Sequence, residues 1–494
     1  MRSFLNASPL KKTLDNWYFL YFCLLLVAYL SRAALLGNPF IFFDEEFYLF
    51  VGGRMLHGDL PYVDIWDRKP IGIFLIYEFF HLFGPYRIWA YQIGALLSAW
   101  LTSIFCLKIA RSIAPIGGAF CAGCLYLIWS VGFGGMGGQS PIFYNTLITA
   151  AILIILQGLQ KRTVKNLTIS GWVSMVLFGL SIQIKPTVAF EGIYVALFLL
   201  YILYKHNIKI LTLFITAFGW SITALLPSFC VIVTYASLGH LSEWWFANVI
   251  SIFLKQDPPH NTLISLWHWA HWGIILGVLF VSTIGGRFLL LKARPNNILH
   301  IFIMGWAFTA FLGFFIFGSF ATHYALPLFA PFFINAAPLW SAKVGRLWLT
   351  FLTGFGAVCA YYSTEKVLSN GSQKDLTTIT QLLSSAPGCV LMDHGPDIIL
   401  DALPHYCPVT TLPFSWHLDS APERKALPLD PTTEIKRIFQ TPPRYIILDS
   451  DVKDYSGGNI DVINIVHEHI MASYHEIYRH KRRKDDNILI YMHN

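Results

Sequence analysis

The sequence predicts a polytopic α-helical membrane protein of about eleven spans, ending in a small extracytoplasmic α/β domain. Three observations lead there. Of 494 residues, 55% are hydrophobic and only 13% are charged, whereas soluble chains carry about 25% charged residues. The apolar residues fall in runs long enough to cross a bilayer, which takes about 20 residues as helix. From about residue 370 onward those runs shrink to strand length.

The first run, about 17–36, follows Arg2, Lys11 and Lys12 and lacks a small-x-small cleavage site. It reads as a retained first helix with the N-terminus in the cytoplasm. Later runs return to turns rich in Lys and Arg, such as Lys108 and Arg111, Lys161 to Lys165, Lys205 and Lys209, and Lys343 and Arg346. Positive residues stay on the cytoplasmic side, so these turns face inward. An odd number of spans puts the C-terminal part outside. The domains are then 1–368, a membrane domain with a first outer loop at 37–87, and 369–494, the α/β domain.

Within that last part, GCVLMD, CPVTTL, RYIILDS and NILIYM read as strands, and TTEIKRIFQ and INIVHEHIMASY as helices. Alternation of this kind is the mark of an α/β domain. The net charge of +7 is spread over short turns. No basic stripe interleaves with aromatics, so nucleic acid is not an expected partner. Six of the eight cysteines lie in apolar segments. Cys121 and Cys124 spell C-x-x-C, but no second pair completes a zinc set. Cys389 and Cys407 lie in the polar region, and the sequence leaves open whether they pair.

The ionisable groups gather in one stretch, FFDEEFYLFVGGRMLHGDLPYVDIWDRKPIGIFLIY, residues 42–77. Asp44 and Glu45 follow an aromatic run. Near an interface a carboxylate shielded from water can serve as a general base. Taken alone, the acids suit the first turn of a helix better than a general base. The companion segment Asp67-Arg68-Lys69-Pro70 changes the balance, because its cations are placed to meet a lipid phosphate. The segment 71–83 is too short to cross. Its apolar residues, interrupted by Glu78 and His81, suggest a helix lying along the interface.

This ordered pattern resembles the GT-C glycosyltransferases related to protein O-mannosyltransferases and the lipid A aminoarabinose transferase. Weaker matches follow at IQIKPTVAF, residues 182–190, and THYALPLFAPF, residues 322–332. The resemblance implies an inverting transferase that moves a sugar from a polyprenyl-phosphate carrier to a cell-envelope glycan, lipopolysaccharide or protein. It further implies the inner membrane of a bacterium, with the C-terminal domain periplasmic. By position, Asp44 stands for the family's catalytic acid, with Glu45 beside it. Lys69 stands for the lysine that meets the donor phosphate, and Arg68 precedes it. Lys185 falls on the lysine of the K-x-P-like segment, and His323 and Tyr324 on the pair before L-P.

Some residues stay open. An intramembrane lysine is a functional candidate, whereas Glu191 is expected to be structural. The second outer loop, GGMGGQSPIFYNT, has no acid where many relatives carry one. Asp44, Glu45 and Asp67 remain the set in which a divalent metal would be sought. Trp244 and Trp245 suit an interfacial anchor better than a lid. Asp393-His394-Gly395 reads as a polar turn after a strand. The competing function is a transporter or flippase of lipid-linked glycans. Transporters gather charges near the midplane, often within inverted repeats; no such repeat is visible here.

Overall fold

A computed structural model describes residues 16–256, 262–293, 298–316, 321–395, 397–405, 407–450, 457–482 and 487–494. Arg2, Lys11, Lys12 and Arg294 therefore lie outside the described residues. The chain divides into two compact units. One comprises Met1–Leu36, Gln92–Ser228 and His268–Thr364; the other comprises Gly37–Tyr91, Phe229–Trp267 and Glu365–Asn494.

Among the described residues, six helices are long and apolar enough to cross a membrane: Gly84–Arg111, Ser140–Lys161, Pro186–Lys205, Ile210–Ser237, Ile298–Phe315 and Lys343–Ser385. Shorter apolar helices, Trp17–Leu30, Ile116–Gly132 and Gly273–Leu289, fall on other segments read as spans.

The first unit is helical. Local chemistry sets its element ends. Helix Ser140–Lys161 begins with Pro141, whose missing N–H is no loss in a first turn, and stops at Arg162 in the left-handed conformation. Between helices Val164–Ile182 and Ala189–Lys205, Pro186 forces Lys185 into extended backbone (φ −151°, ψ 117°). That break takes Lys185 out of both helices. Helix Ile116–Gly132 lies so close to its neighbour that a Cβ on Gly118 would sit 2.2 Å from the Ala337 carbonyl oxygen.

The first apolar helix ends at Leu30, short of the span read from the sequence. Arg32 lies just beyond it and is 2% exposed. Its Nη2 donates to Ser130 Oγ and to the Gly135 carbonyl, both at 3.0 Å. The arginine thus pins the glycine-rich turn.

The second unit carries α1 (Phe43–Met55) and α2 (Ile71–His81). A Cβ at Gly52 would lie 2.4 Å from the Glu78 backbone nitrogen, so glycine is what lets α1 approach α2. On α2, Ile73, Phe74, Tyr77 and Phe80 are buried, while Leu75 and Phe79 are exposed. The helix expected here is present, with one apolar row buried and apolar side chains left on its other side.

The C-terminal sheet has four strands in the order β1-β2-β4-β3: β1 (Val390–Asp393), β2 (Tyr445–Asp449), β3 (Tyr474–Lys481) and β4 (Asn487–His493). β1 runs parallel to β2, and β4 is antiparallel to both β2 and β3. Helices Pro431–Ile438 and Ile460–Ser473 stand where they were expected.

Two readings are corrected. CPVTTL is not a strand: Cys407 is tied to Cys389 by a disulfide, and the Thr411 carbonyl accepts from Trp66 N at 2.8 Å. β3 is a strand that the sequence reading missed. It is an edge strand with His, Glu, Arg and Lys along it, the charged composition that keeps sheet edges from pairing further. The core under the sheet holds Leu391, Leu412, Leu418, Ile435, Ile446, Val466 and also Trp66, 1% exposed, from the first loop.

Candidate active site

α1 is the scaffold of the candidate site in the second unit. Asp44 and Tyr48 are four residues apart and share a helix face. Lys69 comes from the loop that precedes α2. Its Nζ lies 4.0 Å from Asp44 Oδ1 and 2.6 Å from the Tyr48 hydroxyl. The ammonium also sits 4.9 Å from the Tyr48 ring centroid. Both charged side chains keep some exposure, 22% for Lys69 and 15% for Asp44, so solvent or a ligand can reach them.

The loop carrying Lys69 is anchored from several sides. The Tyr62 hydroxyl donates to the Lys69 carbonyl at 2.8 Å, and Tyr62 itself takes a positive φ of 72°. The Tyr235 hydroxyl donates to the Pro61 carbonyl at 3.1 Å. Asp67 Oδ1 accepts from Arg68 N at 2.6 Å. Burial raises the Asp67 pKa above its ordinary value, with Lys69 opposing the shift.

Arg68 and Lys69 are neighbours with different engagements. The Arg68 guanidinium donates to Glu423 Oε2 and lies 5.4 Å from the Trp66 ring centroid. Lys255 Nζ holds the other oxygen of Glu423 at 2.8 Å. Burial pushes the Glu423 carboxyl up, but Arg68 and Lys255 outweigh it and hold the pKa at about 2. His417, stacked edge-on against Trp66, is pushed down to about 3 by burial and then by Arg68, so it is neutral.

The other acids of α1 point into protein. Glu45 is 0% exposed and Glu46 1%. The Tyr91 hydroxyl donates to Glu46 Oε1 at 3.0 Å, and burial followed by the nearby Asp401 raises the Glu46 pKa well above its usual range. Asp401 in turn pairs with Arg87 at 2.5 Å and His81 at 3.3 Å. Phe414 packs on Phe43 and Phe47 of α1. Burial raises the Asp397 pKa to about 7, and Asp44 is among the charges that add to it.

The first unit holds a cavity of about 500 Å³ including its mouth. Tyr144, Lys185, Glu191, Thr309, Phe314 and Tyr324 contribute to its wall. Lys185 Nζ lies 4.5 Å from the Tyr324 ring centroid, and His323 sits edge-on to Tyr324 at 4.6 Å. The structure thus brings together Lys185, His323 and Tyr324. Glu191 Oε1 accepts from Trp306 Nε1 at 2.6 Å, as suits the structural part expected of it.

No family model matches the chain, and no curated protein matches it by sequence. Solved structures do match. ArnT from Cupriavidus metallidurans bound to undecaprenyl phosphate aligns over 96% of this chain and 98% of its own, at TM-score 0.58 and 14% identity. Its apo state aligns at TM-score 0.59. The oligosaccharyltransferase AglB of Archaeoglobus fulgidus, in complex with an inhibitory peptide and a dolichol-phosphate, aligns over 96% of this chain and 74% of its own, at TM-score 0.55 and 11% identity.

The chain shares its overall fold with ArnT and AglB. The resemblance read from the first loop is borne out at that level.

Within this fold, sequence reasoning missed Tyr48, Glu423 and Tyr144. Tyr48 carried a signal, its spacing of four from Asp44 on a helix. Glu423 carried none, because its partners Arg68 and Lys255 are remote in sequence. Asp44, Glu45 and Asp67 do not form a three-ligand metal cluster. Among the described residues the cluster that does form is Asp393, His394 and Asp419, whose ligand atoms lie within 4.8 Å of one another. Another structure of the Archaeoglobus fulgidus enzyme is a complex with Zn and sulfate, at TM-score 0.53 and 10% identity over 94% of this chain and 72% of its own.

Proposed function

We propose that the protein is an inverting glycosyltransferase, moving a sugar from a polyprenyl-phosphate carrier to a cell-envelope acceptor. The observation that carries this is the Asp44–Lys69–Tyr48 cluster on a GT-C fold. The ArnT and AglB structures hold undecaprenyl phosphate and dolichol-phosphate, which supports a lipid phosphate as donor here.

In this reading Asp44 takes the proton of the acceptor hydroxyl or amine. The acceptor atom forms a bond to the anomeric carbon while the bond from that carbon to the phosphate oxygen breaks. Negative charge builds on the departing polyprenyl phosphate, and a fixed cation aimed there lowers the barrier most where water is scarce. Lys69 is that cation, held by the Tyr48 hydroxyl. Asp44 is a better base than Glu45, because a carboxylate without exposed surface cannot reach an acceptor proton. Arg68, bound to Glu423, acts by holding the loop that presents Lys69. Within the first unit, Lys185 with His323 and Tyr324 is proposed to meet donor phosphate at its own cavity.

The membrane placement proposed is the bacterial plasma membrane, with the C-terminal domain periplasmic. The Cys389–Cys407 disulfide supports this, since such bonds persist in oxidising compartments. A panel of labelled polyprenyl-phosphate sugars and envelope acceptors, incubated with purified protein and read by mass spectrometry, tests the function. A glycosylated acceptor with release of the carrier phosphate is the expected product. Glycan flux in vesicles without any transfer would instead favour a transporter.

A further inference from the structure

We propose that Asp393, His394 and Asp419 bind one divalent transition-metal ion in the C-terminal domain. The site is independent of the transferase reading.

The ligand atoms come from two segments. Asp393 ends β1 and His394 follows it, while Asp419 ends helix Ser415–Asp419. His394 Nδ1 lies 3.3 Å from Asp393 Oδ2 and 3.4 Å from Asp419 Oδ2. A direct charge-assisted N–H···O contact would be about 2.7–2.9 Å. Ligands around a tetrahedral ion with bonds of about 2.0–2.1 Å stand roughly 3.3–3.4 Å apart. Both spacings from His394 Nδ1 match that edge, and all three ligand atoms lie within 4.8 Å of one another.

Burial is the second, independent observation. Asp393 is 2% exposed and Asp419 3%. Their Oδ1 atoms are buried with no hydrogen-bond partner. Buried polar oxygens without a hydrogen-bond partner are costly unless they meet a cation or a metal. A dication takes up carboxylate oxygen.

One imidazole nitrogen and two carboxylates suit an ion such as Zn(II) or Mn(II). Bound there, it ties the end of β1 to helix Ser415–Asp419. The backbone N–H of His394 already donates to Asp419 Oδ2 at 2.6 Å, which orients that ligand. Asp397, a few residues on, accepts from Ser415 N and Oγ at 2.8 Å each and lies within the electrostatic reach of Asp44. The ion would therefore steady the segment that borders the α1 acid.

The test uses the full-length protein in detergent, stripped with EDTA and titrated with ZnCl2. Elemental analysis reads stoichiometry, calorimetry reads affinity, and a thermal scan reads stability. About one equivalent should bind, and the unfolding midpoint should rise with Zn(II), because binding to the native state stabilises it. Asp393→Asn and Asp419→Asn should each weaken binding by at least about tenfold, while Asp430→Asn, an exposed acid of the same domain, should not. No stoichiometric uptake, or uptake unchanged in both ligand variants, overturns the proposal. If those variants fail to fold, the wild-type titration decides: binding below one equivalent with no thermal shift overturns it as well.

Discussion

Arg68 gives its guanidinium to Glu423, 355 residues further along the chain. A residue that sequence order places beside Lys69, the lysine proposed to meet the donor phosphate, thus serves as a clamp on the loop. Glu423 also binds Lys255, so one buried carboxylate joins three remote segments of the second unit.

That arrangement predicts acid sensitivity. The Glu423 pKa is about 2 when folded, against an ordinary 4.5, with burial opposed by Arg68 and Lys255. Because the folded value is depressed, the stabilisation is fully present above pH 4.5 and is lost as pH falls toward 2. Unfolding by denaturant between pH 6 and pH 3 should show the wild type losing stability faster than Glu423→Gln. Parallel curves would rule out the clamp as the source.

Tyr48→Phe removes the hydroxyl that holds Lys69 and leaves the ring in place. A hydrogen bond to a charged group contributes about 1.5–3 kcal/mol. The variant should lose about tenfold or more in kcat/KM, with folding stability lowered by no more than that bond contributes. Full activity would show that the ammonium needs no such anchor.

Glycine substitutions should separate by location. In helices generally, Gly→Ala stabilises by about 1 kcal/mol. At Gly52 the new Cβ would meet the Glu78 nitrogen at 2.4 Å and the Tyr77 carbonyl carbon at 2.7 Å, both backbone atoms that cannot step aside. Gly52→Ala should destabilise by about 1–3 kcal/mol. Gly354→Ala, which faces open space, should not.

The Cys389–Cys407 disulfide spans 18 residues. Closing a loop of that size stabilises by roughly 3 kcal/mol in the chain-entropy account. Cys389→Ser should lower stability by about that much, and thiol labelling of the unfolded wild type without reductant should find neither cysteine free.

Much of the fold was legible because it rests on local pattern. Apolar runs marked the helices, Lys185–Pro186 marked a break, and Asp44 with Lys69 marked the candidate site. What stayed hidden depends on non-local packing. Trp66 belongs to the core beneath the C-terminal sheet, and nothing in the first loop announces that. CPVTTL looks like a strand, yet its disulfide and its bond to Trp66 N take it out of the sheet. β3 looks like solvated loop because an edge strand can afford charge. His394 reads as a turn residue until Asp419 is brought beside it from the other segment.

The most direct test of the central claim is single-turnover transfer from a labelled polyprenyl-phosphate sugar by wild type, Asp44→Asn and Lys69→Met. Thermal midpoints would be matched first. Both substitutions should reduce the chemical step by at least about a hundredfold, as expected for losing a general base or a transition-state cation. Transfer at the wild-type rate by folded Asp44→Asn would contradict the account.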